Sequence, residues 1–373
     1  MIKTSDIASA VCLQGNGTIS TSIVRNLFDL NKLAKAWHAI EAVSGSPIQH
    51  YIWAKACAEA FGSAGDLHVV AVGPADQPVA IAPLVKPDGL ARLQLLGVSE
   101  LGEPMDFIYA DSSALDQLAA KLADLPMPLW IERAPADSPV VAALKRAYRR
   151  SGLVRISDTE GYPWIPLDAK WTQPEQQFNA GRRSDFRRAE RNANKLGDVQ
   201  YEIHSPTAAE LEPLLEHAFE VEAASWKGQR GSALTCDSVR ARFYERYAAY
   251  ACERGILRLC LLRIGGESAA MQLAIETGER FWLLKIGYDE KFARCSPGML
   301  LMLHTVRYAA QRGLLSYEFL GAPEAWTKMW TQQVRPAISL RAYPFTVPAM
   351  TTLAADAARS MWTKLRTGMR RDA

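Results

Sequence analysis

Apolar residues four apart, Trp53, Cys57 and Phe61, give residues 50–61 one hydrophobic face and predict a helix there. Two strand-like runs follow at 67–73 and 78–85, joined by the turn residues Pro74, Ala75, Asp76 and Gln77, which predicts a hairpin. A further apolar run at 92–97, a helix at 113–123, a strand at 129–134 and a helix at 138–150 complete a first block. The second block repeats this grammar. Helices are predicted at 210–226 and 238–254, then three antiparallel strands at 256–264, 268–276 and 280–288, turning at Gly265-Gly266 and Thr277-Gly278. A helix at 297–312 and a strand at 314–320 close it. The turn and small-residue strand at Gln77-Pro78-Val79-Ala80, with Leu84, parallel Glu267-Ser268-Ala269-Ala270, with Leu273. The chain therefore reads as α/β, with two related domains at 1–165 and 166–348 that join near 163–174, and a tail at 349–373.

Two basic segments lie outside these blocks. Residues 182–195 carry six Arg and Lys against Asp185 and Glu190, while Phe186, Ala189, Ala193 and Leu196 share one helical face. That pattern suits either a platform for phosphate or anionic lipid, or a solvated face of an interdomain helix. In the tail, Leu353, Ala357, Met361, Leu365 and Met369 recur every four residues among Arg359, Lys364, Arg366, Arg370 and Arg371. Such a helix either rests on an anionic membrane or packs back on the domain.

Composition narrows the function. A net charge of +3 over 373 residues is too small for a dedicated nucleic-acid binder. No apolar run reaches the ~20 residues of a membrane span, and no signal-peptide core is visible, so a cytoplasmic protein is expected. The six cysteines form no C-x-x-C pair and the six histidines no H-E-x-x-H, so no metal site is expected. Neither G-x-x-x-x-G-K-[ST] nor G-x-G-x-x-G occurs, which removes the usual support for nucleotide hydrolysis and dinucleotide chemistry.

The segment richest in chemistry is 281–330. A strand ending at Tyr288 leads through a short loop to Ser296-Pro297-Gly298, where serine at the cap and proline in the first turn open a helix. Backbone N–H groups at that point make an anion site, with Arg294 nearby.

The strand order, together with Tyr288-Asp289-Glu290, Phe292-Ala293, Ser296-Pro297-Gly298, Glu318-Phe319-Leu320-Gly321, Lys328 and Trp330, resembles the GNAT acyltransferase superfamily, and within it the CelD-like branch associated with cellulose and exopolysaccharide loci. Glu222, Ser225-Trp226-Lys227-Gly228 and Gly231 resemble that branch's upstream motif, as does Ser46-Pro47 with Trp53. The branch is related to the Fem-type aminoacyltransferases, and the resemblance spans about residues 45–345.

The resemblance implies two tandem GNAT-like domains, each a mixed, mostly antiparallel sheet flanked by helices. The second would hold an acyl-CoA co-substrate, and the first would lack a donor site of its own. It also implies direct acyl transfer to an amine of the cell envelope: a sphingoid-type or other amino-lipid, or an amino sugar or polysaccharide precursor. Peripheral membrane contact would run through the tail. The superfamily's Q/R-x-x-G-x-G/A signature is here Arg294-Cys295-Ser296-Pro297-Gly298-Met299, with one glycine, which leaves aminoacyl-tRNA open as donor. A non-catalytic partner of a membrane polysaccharide synthase is the other alternative.

Residue by residue, the donor is assigned to Lys285, Arg294, Ser296, Gly298 and Met299. Backbone N–H groups near 285–288 would serve the oxyanion. Glu318 is the candidate base, or else a carboxylate paired with Lys328 or Arg335. Glu222 is the second candidate, or else an exposed helix charge near Lys227. Tyr288 would protonate the departing thiolate or simply pack. Lys227 and Lys328 would bind acceptor or donor phosphates or stay solvated, and Trp226 and Trp330 would shape a pocket or fill the core.

Overall fold

The computed structural model describes residues 20–42, 45–62, 65–225 and 237–369, with side chains in the last helix described as far as Arg359. The N-terminal half runs β1 (Thr21–Val24), α1 (Leu27–Lys32), α2 (Ala34–Glu41), α3 (Tyr51–Phe61), β2 (Gly65–Leu67), β3 (Val69–Val72), β4 (Ala80–Ala82), β5 (Leu84–Pro87), β6 (Leu93–Leu95), α4 (Val98–Leu101), β7 (Ile108–Tyr109), α5 (Ser112–Ala123), β8 (Leu129–Pro135), α6 (Pro139–Tyr148) and β9 (Gly152–Pro166). The C-terminal half continues with α7 (Ala180–Leu196), β10 (Val199–His204), α8 (Ala208–Ala223), α9 (Ser238–Glu253), β11 (Leu257–Ile264), β12 (Glu267–Thr277), β13 (Arg280–Tyr288), α10 (Pro297–Gln311), β14 (Ser316–Glu318), α11 (Ala325–Trp330), β15 (Val334–Pro344) and α12 (Val347–Met369).

The mixed α/β expectation holds, but the halves do not keep separate sheets. Strands of both form one sheet in the order β10-β11-β12-β13-β14-β9-β15-β8-β6-β5-β2, and β1-β3-β4-β7 form a second. The long strands β9 and β15 make the seam. β15 lies antiparallel between β9 and β8, so a strand from the end of the chain completes the first half's sheet. Each half has one parallel pair, β6 with β8 and β13 with β14, and both pairs are reached by a helical crossover.

The predicted α3 face is buried where the halves meet. Trp53, fully buried, meets the ring edges of Phe243 and Tyr247 on α9 at 4.9 and 5.0 Å. Nearby, Arg254 closes a 2.6 Å ion pair with the buried Glu41 across the same junction. In the basic segment, α7 buries Phe186, Ala189 and Ala193 and leaves Leu196 exposed with its charges. The tail helix α12 packs on β15 at its start: Ala349 is buried, and the buried Asp356 accepts a 2.7 Å bond from the Tyr343 hydroxyl.

Candidate active site

The site follows from how β13 is held. Its antiparallel ladder to β12 steps from Leu273/Lys285 to Ala274/Leu283, leaving Leu284 as an extra, bulged residue. The bulge re-aims the strand. Ile286 and Tyr288 pack on the α10 side, while Lys285 and Gly287 face α8 and α9. On its other edge β13 pairs with β14 over only three positions, Arg280/Ser316 to Trp282/Glu318. Beyond Glu318 the chain turns away through Leu320, at φ +61°, toward α11.

The end of β13, the start of α10 and α11 then enclose a cavity of about 390 Å³. Four methionines, Met271, Met299, Met302 and Met329, line it with Trp326, Trp330, Ile286 and Tyr288. Thioether side chains adapt to irregular apolar ligands, so this wall suits a flexible chain. Ser225, Glu324 and the buried Gln272 add polar groups to it. The Gln272 carbonyl accepts from the Tyr317 hydroxyl at 3.2 Å and its amide points at Met302 Sδ, 3.5 Å away.

At the cavity's other side α10 begins. Ser296 occupies the cap position, as the sequence predicts, but in a left-handed conformation (φ +46°, ψ +53°), and its hydroxyl caps nothing. Its carbonyl instead gathers the N–H groups of Met299 and Leu300 at 3.0 and 3.2 Å. Pro297 has no N–H. Gly298 N–H is therefore the open donor of the first turn among the described residues, directed by the helix dipole. A Cβ on Gly298 would meet the Tyr288 ring at 3.8 Å, so a side chain there would project between helix start and strand.

The expected carboxylates occupy different places. Glu318 is fully buried and committed: Arg335 Nε and Nη2 donate to it at 3.0 and 2.7 Å, and Ser316 Oγ at 2.6 Å. Arg335 in turn stacks on Trp164 at 3.8 Å. Both oxygens of Glu318 are thus taken, and its pairing with Arg335 is the alternative left open by the sequence.

Glu222 is not an exposed helix charge. It is fully buried, its backbone and Cβ filling the space where a Gly287 side chain would stand, at 2.7 and 3.0 Å. Lys285 Nζ lies 4.0 Å from Glu222 Oε1 and 5.0 Å above the Tyr244 ring. Lys285 thus turns away from the cavity to which the sequence reading assigned it, because the bulge sends it to the opposite face. Tyr288, Gly298, Met299 and Trp330 do line the cavity, Trp330 also stacking within the core against Phe186. Arg294 and Ser296 sit exposed beside the helix start, whereas Lys328 is exposed and off the cavity wall. Trp226 and Lys227 lie outside the described residues.

Sequence reasoning missed Glu103, between Gly102 and Pro104 in the first half. It is 9% exposed, and its Oε2 has no hydrogen-bond partner among the described residues. Burial pushes its carboxyl up to about 7, against the pull of Arg133 and Lys285. Only the fold brings it to Lys285. No group of metal-ligating side chains occurs among the described residues, and no described helix is long and apolar enough to cross a membrane.

Comparison with known proteins places this geometry. Residues 180–328 match the domain family described as Acetyltransferase (GNAT) domain. No curated protein matches the sequence. Among solved structures, the chain is similar to FemX at 15% identity, with 89% of this chain and 99% of that one covered and a TM-score of 0.57. It is also similar to the C-terminal domain of a putative lysylphosphatidylglycerol synthetase from Agrobacterium fabrum (10% identity, 88% and 95% covered, TM-score 0.54). A conserved protein of unknown function from Bacteroides thetaiotaomicron aligns comparably (12%, 87% and 99%, 0.55). At such identities the likeness is one of fold. The bulged strand, the three-pair parallel ladder and the helix start beside it all fall within residues 180–328, the segment that matches the GNAT acetyltransferase domain, and this match supports an acyltransferase.

Proposed function

We propose that the protein transfers an acyl group from acyl-CoA to an amine of a cell-envelope acceptor. The observation that carries this reading is the parting of β13 from β14 after three residue pairs, which opens an apolar cavity ending at the Gly298 N–H. The thioester arm would lie along Ile286–Tyr288, with its pyrophosphate at the start of α10 and Arg294 at hand. Tyr288 would supply the proton to the departing sulfur. The methionine wall favours an acyl chain longer than acetyl. Such a chain suits an amino-lipid acceptor, and the CelD-like motifs suit a polysaccharide precursor. The first half, 1–165, would lack a donor site. Its own parallel ladder stops after two pairs, and beyond it Arg133 donates to the Gly102, Gly161 and Leu320 carbonyls.

Calorimetric titration with acetyl-CoA, palmitoyl-CoA and free CoA tests the reading. Binding with a Kd of about 1–100 μM is expected, accompanied by a rise in Tm at saturation. Gly298→Trp should fill the space beside Tyr288 and weaken binding by about tenfold or more, with little loss of stability. No heat with any of the three would overturn the acyl-CoA donor.

The exposed basic face of α7, with Arg187, Arg188, Arg191 and Lys195, favours a second reading: aminoacyl transfer from tRNA. It requires tRNA affinity that falls steeply with salt. Salt-independent or absent binding removes it.

A further inference from the structure

Three buried carboxylates stand near the point where β13 and β14 part, and they differ in what their oxygens are already doing. Both oxygens of Glu318 are held by Arg335 and Ser316. Glu222 is engaged with Lys285. Glu103 keeps a buried oxygen, Oε2, with no hydrogen-bond partner among the described residues, whereas Glu222 Oε1 has the Lys285 ammonium 4.0 Å away. Buried polar atoms are nearly always paired, so such an exception calls for a functional account.

We propose that Glu103, carried by the N-terminal half, accepts the proton of the incoming amine, so that the catalytic centre is assembled from both halves. The inference rests on the acyl-transfer reading above. Three observations support it. Lys285 stands two residues before Gly287, which lines the donor cavity, and it faces the side of β13 opposite that cavity. Glu103 lies within the field of Lys285 from β13, Arg133 from β8 and Tyr244 from α9. Arg133 does not neutralise it by contact: its guanidinium donates to the carbonyls of Gly102, Glu160, Gly161 and Leu320. The bond to Gly102, itself left-handed at φ +69°, fixes the turn immediately before Glu103. The carboxylate is thus held in place without being consumed, and burial keeps it basic near neutral pH.

In the step itself the amine nitrogen attacks the thioester carbonyl carbon. The N–C bond forms, the C–S bond breaks, and its electron pair leaves on the CoA sulfur. The proton lost by nitrogen passes to Glu103, which is left as the neutral acid, while the sulfur takes a proton from Tyr288 or water. The products are an amide and a thiol.

The test uses the full chain and its Glu103→Gln, Glu103→Asp and Glu222→Gln variants. Each is titrated calorimetrically with acetyl-CoA and palmitoyl-CoA, then assayed for CoA thiol release with ethanolamine as probe amine across neutral pH. The carboxyl resonance missing from Glu103→Gln is followed by carbon NMR in parallel. Donor affinity should be unchanged in Glu103→Gln, with turnover down by about a hundredfold or more and its rise with pH abolished. Glu103→Asp should restore part of the rate, and the Glu103 resonance should titrate near 7 and move when acetyl-CoA binds. Wild-type rate and pH profile in Glu103→Gln would overturn the proposal. If ethanolamine is not acylated, an ordinary carboxyl titration indifferent to acetyl-CoA overturns it as well. Failure of either thioester to bind would instead overturn the donor reading, and this inference with it.

Discussion

Replacing Arg335 by alanine is expected to cost about 3–5 kcal/mol of stability, the largest single effect anticipated here. The substitution leaves Glu318 fully buried with, among the described residues, only the Ser316 hydroxyl at bonding distance, the Arg280 guanidinium being 3.9 Å away. It also removes the planar group stacked on Trp164, at the seam where β9, β14 and β15 meet. The cost comes mainly from stranding a charge. The double variant Arg335→Leu/Glu318→Leu should therefore recover most of the loss, since a buried pair replaced by apolar groups is often nearly neutral. Urea denaturation of the single and double variants measures this. Glu318→Gln adds the functional half: a structural carboxylate predicts lost stability with turnover per folded molecule retained. Lost turnover at full stability would return Glu318 to the role of base.

That outcome bears on what could be read from residues alone. The strands β11, β12 and β13 were legible because each is a short apolar run bounded by glycine turns, and α10 because Ser296, Pro297 and Gly298 mark its start. β9 and β15 were not. β9 runs through Gly152, Gly161, Pro163 and several charged residues, and its burial alternates irregularly. Its strand character comes from pairing with β15, far away in sequence, and long-range pairing leaves little local trace. The same distance hides the chemistry. The acidic residues of 281–330 stood out because they follow strong local motifs, yet Glu318 is tied up by Arg335 from the next strand. Glu103 lies in a glycine–proline turn that reads as a connector, and Lys285 reaches it only because the bulge at Leu284 flips that side chain off the donor face.

Glu103→Gln should make the protein more stable above neutral pH, by about 3 kcal/mol, while impairing turnover. The sign follows from linkage. The folded protein raises this carboxyl from the ordinary 4.5 to about 7, so it favours the neutral form. The stability associated with Glu103 is complete below 4.5, declines as pH rises through about 7, and stays diminished above it, because ionised Glu103 is better solvated in the unfolded chain. Glutamine keeps the shape of the neutral acid and cannot ionise. The two proteins should unfold alike in acid, and their urea midpoints should separate as pH climbs from 4.5 past about 7. A separation equal at every pH would mean that glutamine acts through packing and that the carboxyl is ordinary. A separation that grows with pH, together with lost turnover, would mark Glu103 as a group kept at a cost in stability because the reaction needs a base there. It would also explain why the first half retains a buried acid although its own parallel ladder stops short of Arg133.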